Sequence, residues 1–127
     1  MYVDRPRVLL VDDEKEVADA YALRLDAVAD VTVTYSGPEA LSAVDESDPP
    51  DVILLDRHMP DRSGDDILRE LREYDIHTRV IMVTAIDPGL ELLELPFDDY
   101  LCKPVDREDI RAAVDQQCQV LAYELLG

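Results

Sequence analysis

The chain predicts an α/β domain, a parallel sheet with helices packed on both faces. Three observations lead there. Short apolar runs at Val8 to Val11, Val52 to Leu55 and Val80 to Val83 lack the alternation of a half-exposed strand, so they read as strands buried on both sides. Segments of helical periodicity alternate with these runs, which is the pattern of strand–helix–strand units. The run Val52-Ile53-Leu54-Leu55 stops abruptly at Asp56, before a turn holding Pro60, Asp61, Ser63 and Gly64. Open α/β sheets place their chemistry at the C-terminal ends of strands. Taken alone, an Asp there is more often an ordinary turn residue than a functional one.

The first strand is Arg7 to Val11, ending in Asp12-Asp13-Glu14. Asp13 is expected to cap the next helix, with Glu16 completing a capping box. Val17, Tyr21, Leu25 and Val28 recur at helical spacing and carry that helix to about Ala27. Val31 to Tyr35 is the second strand. Ser36-Gly37-Pro38-Glu39 is a helix start with Ser at the N-cap and Glu three residues on. The inner face of that helix is Ala40, Leu41 and Val44. After the central strand, Ser63 to Tyr74 forms a helix with Ile67, Leu68 and Leu71 inward. Arg79 to Val83 is the fourth strand, ending in Thr84-Ala85. Asp87 to Leu95 reads as a weak helix: Pro88 suits its start, Gly89 weakens it and Pro96 stops it. Asp99 to Cys102 is a short fifth strand before Lys103-Pro104. Asp106 caps the last helix, whose apolar face is Ile110, Val114, Cys118, Leu121 and Leu125.

A length of 127 residues fits one domain with a core of its own. Thirty acidic residues against twelve basic ones give a formal charge of −18, a surface that repels nucleic acid and anionic membranes. With 47% apolar residues and dispersed acids, disorder is excluded. Such self-repulsion is severe in dilute buffer and screened at about 1 M salt, where the Debye length is about 3 Å. Only Lys15 and Lys103 are lysines, the other basic residues being arginine, a balance like that of haloarchaeal proteins. No stretch is long and apolar enough to span a membrane and no signal pattern opens the chain, so a cytoplasmic protein is expected. Cys102 and Cys118 lack metal-ligand spacing and read as small packed hydrophobes.

In a parallel sheet the C-terminal ends of the strands meet along one edge. That edge collects Asp12, Asp13, Asp56, Thr84 and Lys103. Like charges at about 4 Å cost on the order of 4 kcal/mol per pair at an effective dielectric near 20. A divalent cation removes the conflict, and hard oxygen ligands suit Mg²⁺ or Mn²⁺ better than zinc. A metal, an ammonium and a hydroxyl around a carboxylate suit phosphoryl transfer, which is mostly positioning and charge neutralisation. Asp56 would be the nucleophile, with Lys103 and Thr84 on the phosphoryl oxygens.

The pieces Val11-Asp12-Asp13-Glu14, Leu54-Leu55-Asp56 with Met59-Pro60 and Ser63-Gly64, Val83-Thr84-Ala85, and Asp98-Asp99-Tyr100-Leu101 with Lys103-Pro104 occur together and in this order. Over essentially its whole length the chain resembles a response-regulator receiver domain. The wording Leu55-Asp56-Arg57-His58-Met59-Pro60 and Phe97-Asp98-Asp99-Tyr100 resembles receivers of the haloarchaeal HalX type. The resemblance implies a flavodoxin-like (βα)5 fold in three layers, strand order 2-1-3-4-5. It implies that Asp56 takes phosphate from a sensor histidine kinase, assigns Mg²⁺ to Asp12, Asp13, Asp56 and the backbone carbonyl of His58, and makes Thr84 and Tyr100 a switch pair. It also implies a cis Lys103-Pro104 bond, and a surface of the fourth helix, fifth strand and last helix that changes on phosphorylation. The implied partners are the kinase, an output domain or regulatory protein, and a second copy in a homodimer. HalX-type proteins carry a further small C-terminal domain that residues 1–127 lack, so a single receiver domain is expected. The stretch from Thr84 to Tyr100 is about one helical turn shorter than the family's usual, which weighs against the usual dimer through the fourth helix.

Other functions fit less well. A metal-dependent phosphohydrolase using Asp56 usually has a second acid two residues on, where this chain has His58. A flavin- or nucleotide-binding domain would put its phosphate loop after the first strand, where Asp12-Asp13-Glu14 repel phosphate. A receiver that never takes phosphate conflicts with the retention of all five site residues. The expectation is therefore a phospho-accepting signalling domain that catalyses only its own phosphorylation and dephosphorylation.

Overall fold

A computed structural model describes residues 5–85 and 94–126. The elements in order are β1 (Arg7–Val11), α1 (Lys15–Leu25), β2 (Asp30–Thr34), α2 (Gly37–Ala43), β3 (Val52–Asp56), α3 (Gly64–Glu73), β4 (Arg79–Thr84), β5 (Asp99–Cys102) and α4 (Arg107–Leu126). The strands form one five-stranded sheet in the order β2-β1-β3-β4-β5, with every pair parallel. The expected flavodoxin-like topology is what the chain adopts. The weak helix read at Asp87 to Leu95 lies for the most part outside the described residues.

Why three layers form is visible in the strand sequences. Side chains alternate between the two faces of a strand. Val8 and Leu10, Val52 and Leu54, and Ile81 and Val83 point to one side, where they pack with α1 and α4 through Ala18, Tyr21, Leu25, Ile110, Val114 and Cys118. Leu9 and Val11, Ile53 and Leu55, and Val80 and Met82 point to the other, against Ala40 of α2 and Ile67, Leu68 and Leu71 of α3. Both faces need apolar residues, so the strands read as unbroken apolar runs. β3 is buried at every position, Asp56 included.

Local signals set the helix starts. The Ser36 side chain accepts the Glu39 N–H, Ser63 that of Asp66 and Asp106 that of Asp109, each satisfying a free N–H of a first turn. The start of α1 departs from expectation. Glu14 is its N-cap and no side chain caps it there, so Asp13 makes no capping box. Asp12 instead accepts the Glu14 N–H through Oδ1 at 2.9 Å, and Asp13 is left exposed at the sheet edge. α1 also ends at Leu25, before Ala27, and Val28 is exposed. Cys102 corrects a second expectation. It is exposed, whereas Cys118 is buried. β5 is an edge strand whose side chains alternate between half-buried and exposed, and Cys102 falls on the outer set.

Candidate functional site

Three backbone ladders run one residue past the strands that begin them. Asp12 N–H donates to Thr34 at 3.2 Å, Arg57 N–H to Val83 at 2.9 Å and Lys103 N–H to Thr84 at 2.7 Å. The chain is therefore fixed just where Asp12, Asp56 and Lys103 leave the sheet. One carboxylate oxygen from each of Asp12, Asp13 and Asp56 comes within 4.8 Å of the others. Lys103 Nζ lies 2.8 Å from Asp12 Oδ2 and 3.4 Å from Asp56 Oδ1. Thr84 closes the group at the end of β4 and is fully buried. Of the residues assembled at the sheet edge on sequence grounds, Asp12, Asp13, Asp56 and Lys103 thus meet in space, and Thr84 ends the neighbouring strand.

Burial, and next the Asp12 carboxylate, push Asp56 up from 3.8 to about 6, against the pull of Lys103 and a backbone hydrogen bond from His58. Burial works to lower the Lys103 pKa, but the Asp12 hydrogen bond and the two carboxylates outweigh it and hold the ammonium above its ordinary range. Two buried acids beside one cation leave negative charge uncompensated. The donor set, all carboxylate oxygen with Asp13 open to water, fits a hard divalent cation.

The loop after β3 is drawn tightly against its strand. Gly64 N–H donates to the Arg57 carbonyl at 2.9 Å. A Cβ at Gly64 would sit on the Asp56 carbonyl oxygen and 2.9 Å from Arg57 Cα, so no larger residue fits without moving the backbone behind Asp56. Arg57, mostly buried, pairs with Asp65 of the first turn of α3 at 3.1 Å and braces the same loop. This ion pair had no signal in the sequence beyond two opposite charges eight residues apart. The His58 side chain is exposed.

Tyr100 is 43% exposed and its ring stands edge-on to Phe97, with centroids 6.2 Å apart. In the register it pairs with Met82, while Thr84 pairs with Cys102, so Tyr100 and Thr84 are two positions apart along neighbouring strands. A cavity of about 540 Å³ opens at the other end of the sheet, lined by Arg5, Val28, Arg111 and Cys118 among others. It holds none of Asp12, Asp13 and Asp56, and Arg5 and Arg111 there already donate to backbone carbonyls. The acidic crevice is the chemically equipped site. The Lys103-Pro104 bond is cis.

Residues 8–115 match the Response regulator receiver domain family. A candidate transcriptional regulator of Haloferax volcanii is 44% identical over 110 residues, which are 86% of this chain and 19% of that protein. Transcriptional regulatory protein CutR of Streptomyces coelicolor is 43% identical over 113 residues, 85% of this chain and 51% of CutR. The chain therefore spans about half or less of the length of these relatives. Among solved structures, the receiver domain of Francisella response regulator 1452 superimposes with a TM-score of 0.84 at 32% identity, covering 92% of this chain and 99% of that one. A CheY-like receiver domain protein from Methanospirillum hungatei gives 0.85 at 25% identity, covering 94% and 98%. Sequence, topology and the acidic edge of the sheet agree: this chain belongs to the response regulator receiver domain family.

Proposed function

We propose that this receiver takes a phosphoryl group onto Asp56 from the phosphohistidine of a sensor histidine kinase, with Mg²⁺ or Mn²⁺ bound. The observation that carries the reading is Lys103 Nζ at 2.8 Å from Asp12 and 3.4 Å from Asp56, beside three carboxylates close enough to share one ion. Asp12, Asp13, Asp56 and the backbone carbonyl of His58 would hold the metal. When bound, it supplies positive charge against carboxylate repulsion and against the phosphoryl oxygens.

An Asp56 oxygen attacks phosphorus as the P–N bond to the kinase imidazole breaks, and the imidazole leaves with that electron pair. Asp56 must be ionised to attack, and with a pKa of about 6 it is mostly so at neutral pH. Lys103 stays protonated and offers its ammonium to a phosphoryl oxygen, and the Thr84 hydroxyl donates to another. Drawn toward the phosphoryl group, Thr84 vacates space beside β5, and Tyr100 turns in from solvent. Burying much of an aromatic ring is favourable by roughly 1.5–3 kcal/mol, enough to bias two states. The surface of β5 and α4 then changes, and an output domain, a regulatory protein or a second copy reads it there. The chain turns over no phosphoryl group but its own. The kinase partner and the acidic surface suit the cytoplasm; among the described residues no helix is long and apolar enough to cross a membrane. The Haloferax relative and the −18 charge favour the HalX-type, salt-adapted reading.

The test is intact-mass spectrometry after acetyl phosphate or phosphoramidate in molar KCl. A single phosphoryl adduct that needs Mg²⁺ and is absent from Asp56→Asn is expected. Labelling that survives that substitution overturns the assignment. Steady-state release of phosphate from foreign phosphoesters would favour a hydrolase instead. For the switch, NMR spectra with and without beryllofluoride should show shifts at Tyr100 and α4; shifts confined to the loops around Asp13, Asp56 and Lys103 remove it.

A further inference from the structure

Lys103 works only if its ammonium is aimed, and it stands at the end of a four-residue edge strand. Upstream, its own N–H is held by the Thr84 carbonyl at 2.7 Å. Downstream, Pro104 has no N–H to give and β5 has ended, so no ladder continues. Val105 is nonetheless 2% exposed, and a buried residue must find partners for both its N–H and its carbonyl. Both partners come from α1. Val105 N–H donates to Tyr21 Oη at 3.4 Å, and Arg24 Nη1 donates to the Val105 carbonyl at 2.6 Å. Tyr21 and Arg24 are three residues apart, on one face of the helix. The Arg24 guanidinium lies 5.2 Å over the Tyr21 ring, so the two side chains brace each other. Arg111 of α4 donates to the Arg24 carbonyl at 2.7 Å and ties the brace to the last helix.

We infer that Tyr21 and Arg24 are positioning residues for Lys103: by gripping both sides of the Val105 residue they hold the turn from which the Lys103 ammonium reaches Asp12 and Asp56. The kinetic part of this inference rests on the phosphoacceptor reading, but the geometric part does not. α1 also follows directly from the Asp12-Asp13 turn. One helix thus fixes the acids at its N-terminus and the cation through its side chains, and a displacement of α1 would change both halves of the site together.

The chain has only two lysines, which makes the test direct. Lysine-selective isotope labelling gives NMR signals for Lys103 and for Lys15, which is exposed at the start of α1 and makes no contact with Val105, as a reference. Arg24→Met removes the donor and keeps the bulk; Tyr21→Phe removes only the hydroxyl. Both are expected to move the Lys103 side-chain signals toward the values of a flexible, solvated lysine and to leave Lys15 unchanged, with Arg24→Lys restoring part of the effect. Phosphorylation by acetyl phosphate should slow about three- to tenfold in Arg24→Met, and that slowing should vanish in a Lys103→Met background, as coupled residues behave. Lys103 signals that stay put in both variants overturn the inference. So does slowing that multiplies with Lys103→Met, because a general loss of structure adds independently. If the unsubstituted chain takes no phosphate while the Lys103 signals move as expected, the phosphoacceptor reading falls and the brace stands.

Discussion

Replacing Asp56 by Asn is expected to stabilise the metal-free protein. Asparagine keeps the outline of the side chain and removes its charge, while Lys103 retains Asp12 at 2.8 Å. In the folded chain burial and then Asp12 lift the Asp56 pKa from 3.8 to about 6. A folded-state value above the unfolded one means that the associated stability is fully present below the unfolded pKa and is lost as pH rises through 6. A gap of about two pH units corresponds to about 3 kcal/mol at neutral pH. The crevice opens to water beside Asp13, and screening trims this to about 1–2 kcal/mol. Urea unfolding in molar KCl with a chelator present measures it. Asp56→Asn should gain about 1–2 kcal/mol near neutral pH, and the gain should fade toward about pH 4, where the carboxyl is protonated in the folded state. Saturating Mg²⁺ should reverse the order, because at about a hundred times its Kd a ligand adds about 2.7 kcal/mol to the protein that binds it. An Asn variant less stable than the parent at neutral pH, or a gain as large in acid, refutes the reasoning.

Three further outcomes are expected. Gly64→Ala should cost roughly 1–3 kcal/mol in the same unfolding assay, because its methyl group would press on the Asp56 backbone rather than on a side chain that can yield. With a thiol-reactive dye near neutral pH, Cys102 should label quickly and Cys118 only on unfolding, since burial pushes the Cys118 thiol up to about 11. Thermal stability should rise with KCl into the molar range as the −18 charge is screened; indifference to salt would sink the halophilic reading.

The sheet and the convergence of acids were legible because both are written locally. Four or five consecutive apolar residues ending in a carboxylate state the burial of a strand on both faces and the polarity of its exit. The misreadings have physical causes. Asp13-x-x-Glu16 has the spacing of a capping box, but the spacing does not say which of two adjacent acids turns back to the helix, and Asp12 took the Glu14 N–H. Cys102 sits in a segment too short to reveal its alternation, and whether a strand lies at the edge depends on the whole sheet. The grip of Tyr21 and Arg24 on Val105 joins positions about eighty residues apart and leaves no local mark.

The outer border of β5 bears on how this protein avoids joining its neighbours. An edge strand is a template on which another chain can add a strand. Charged side chains are one deterrent to such addition, but in molar salt their repulsion reaches only about 3 Å. On the salt-adapted reading proposed above, the edge needs guards that salt cannot switch off. Here the template is four residues long, and Pro104, which offers no N–H, bars its extension. Length and covalent structure keep working where charge does not.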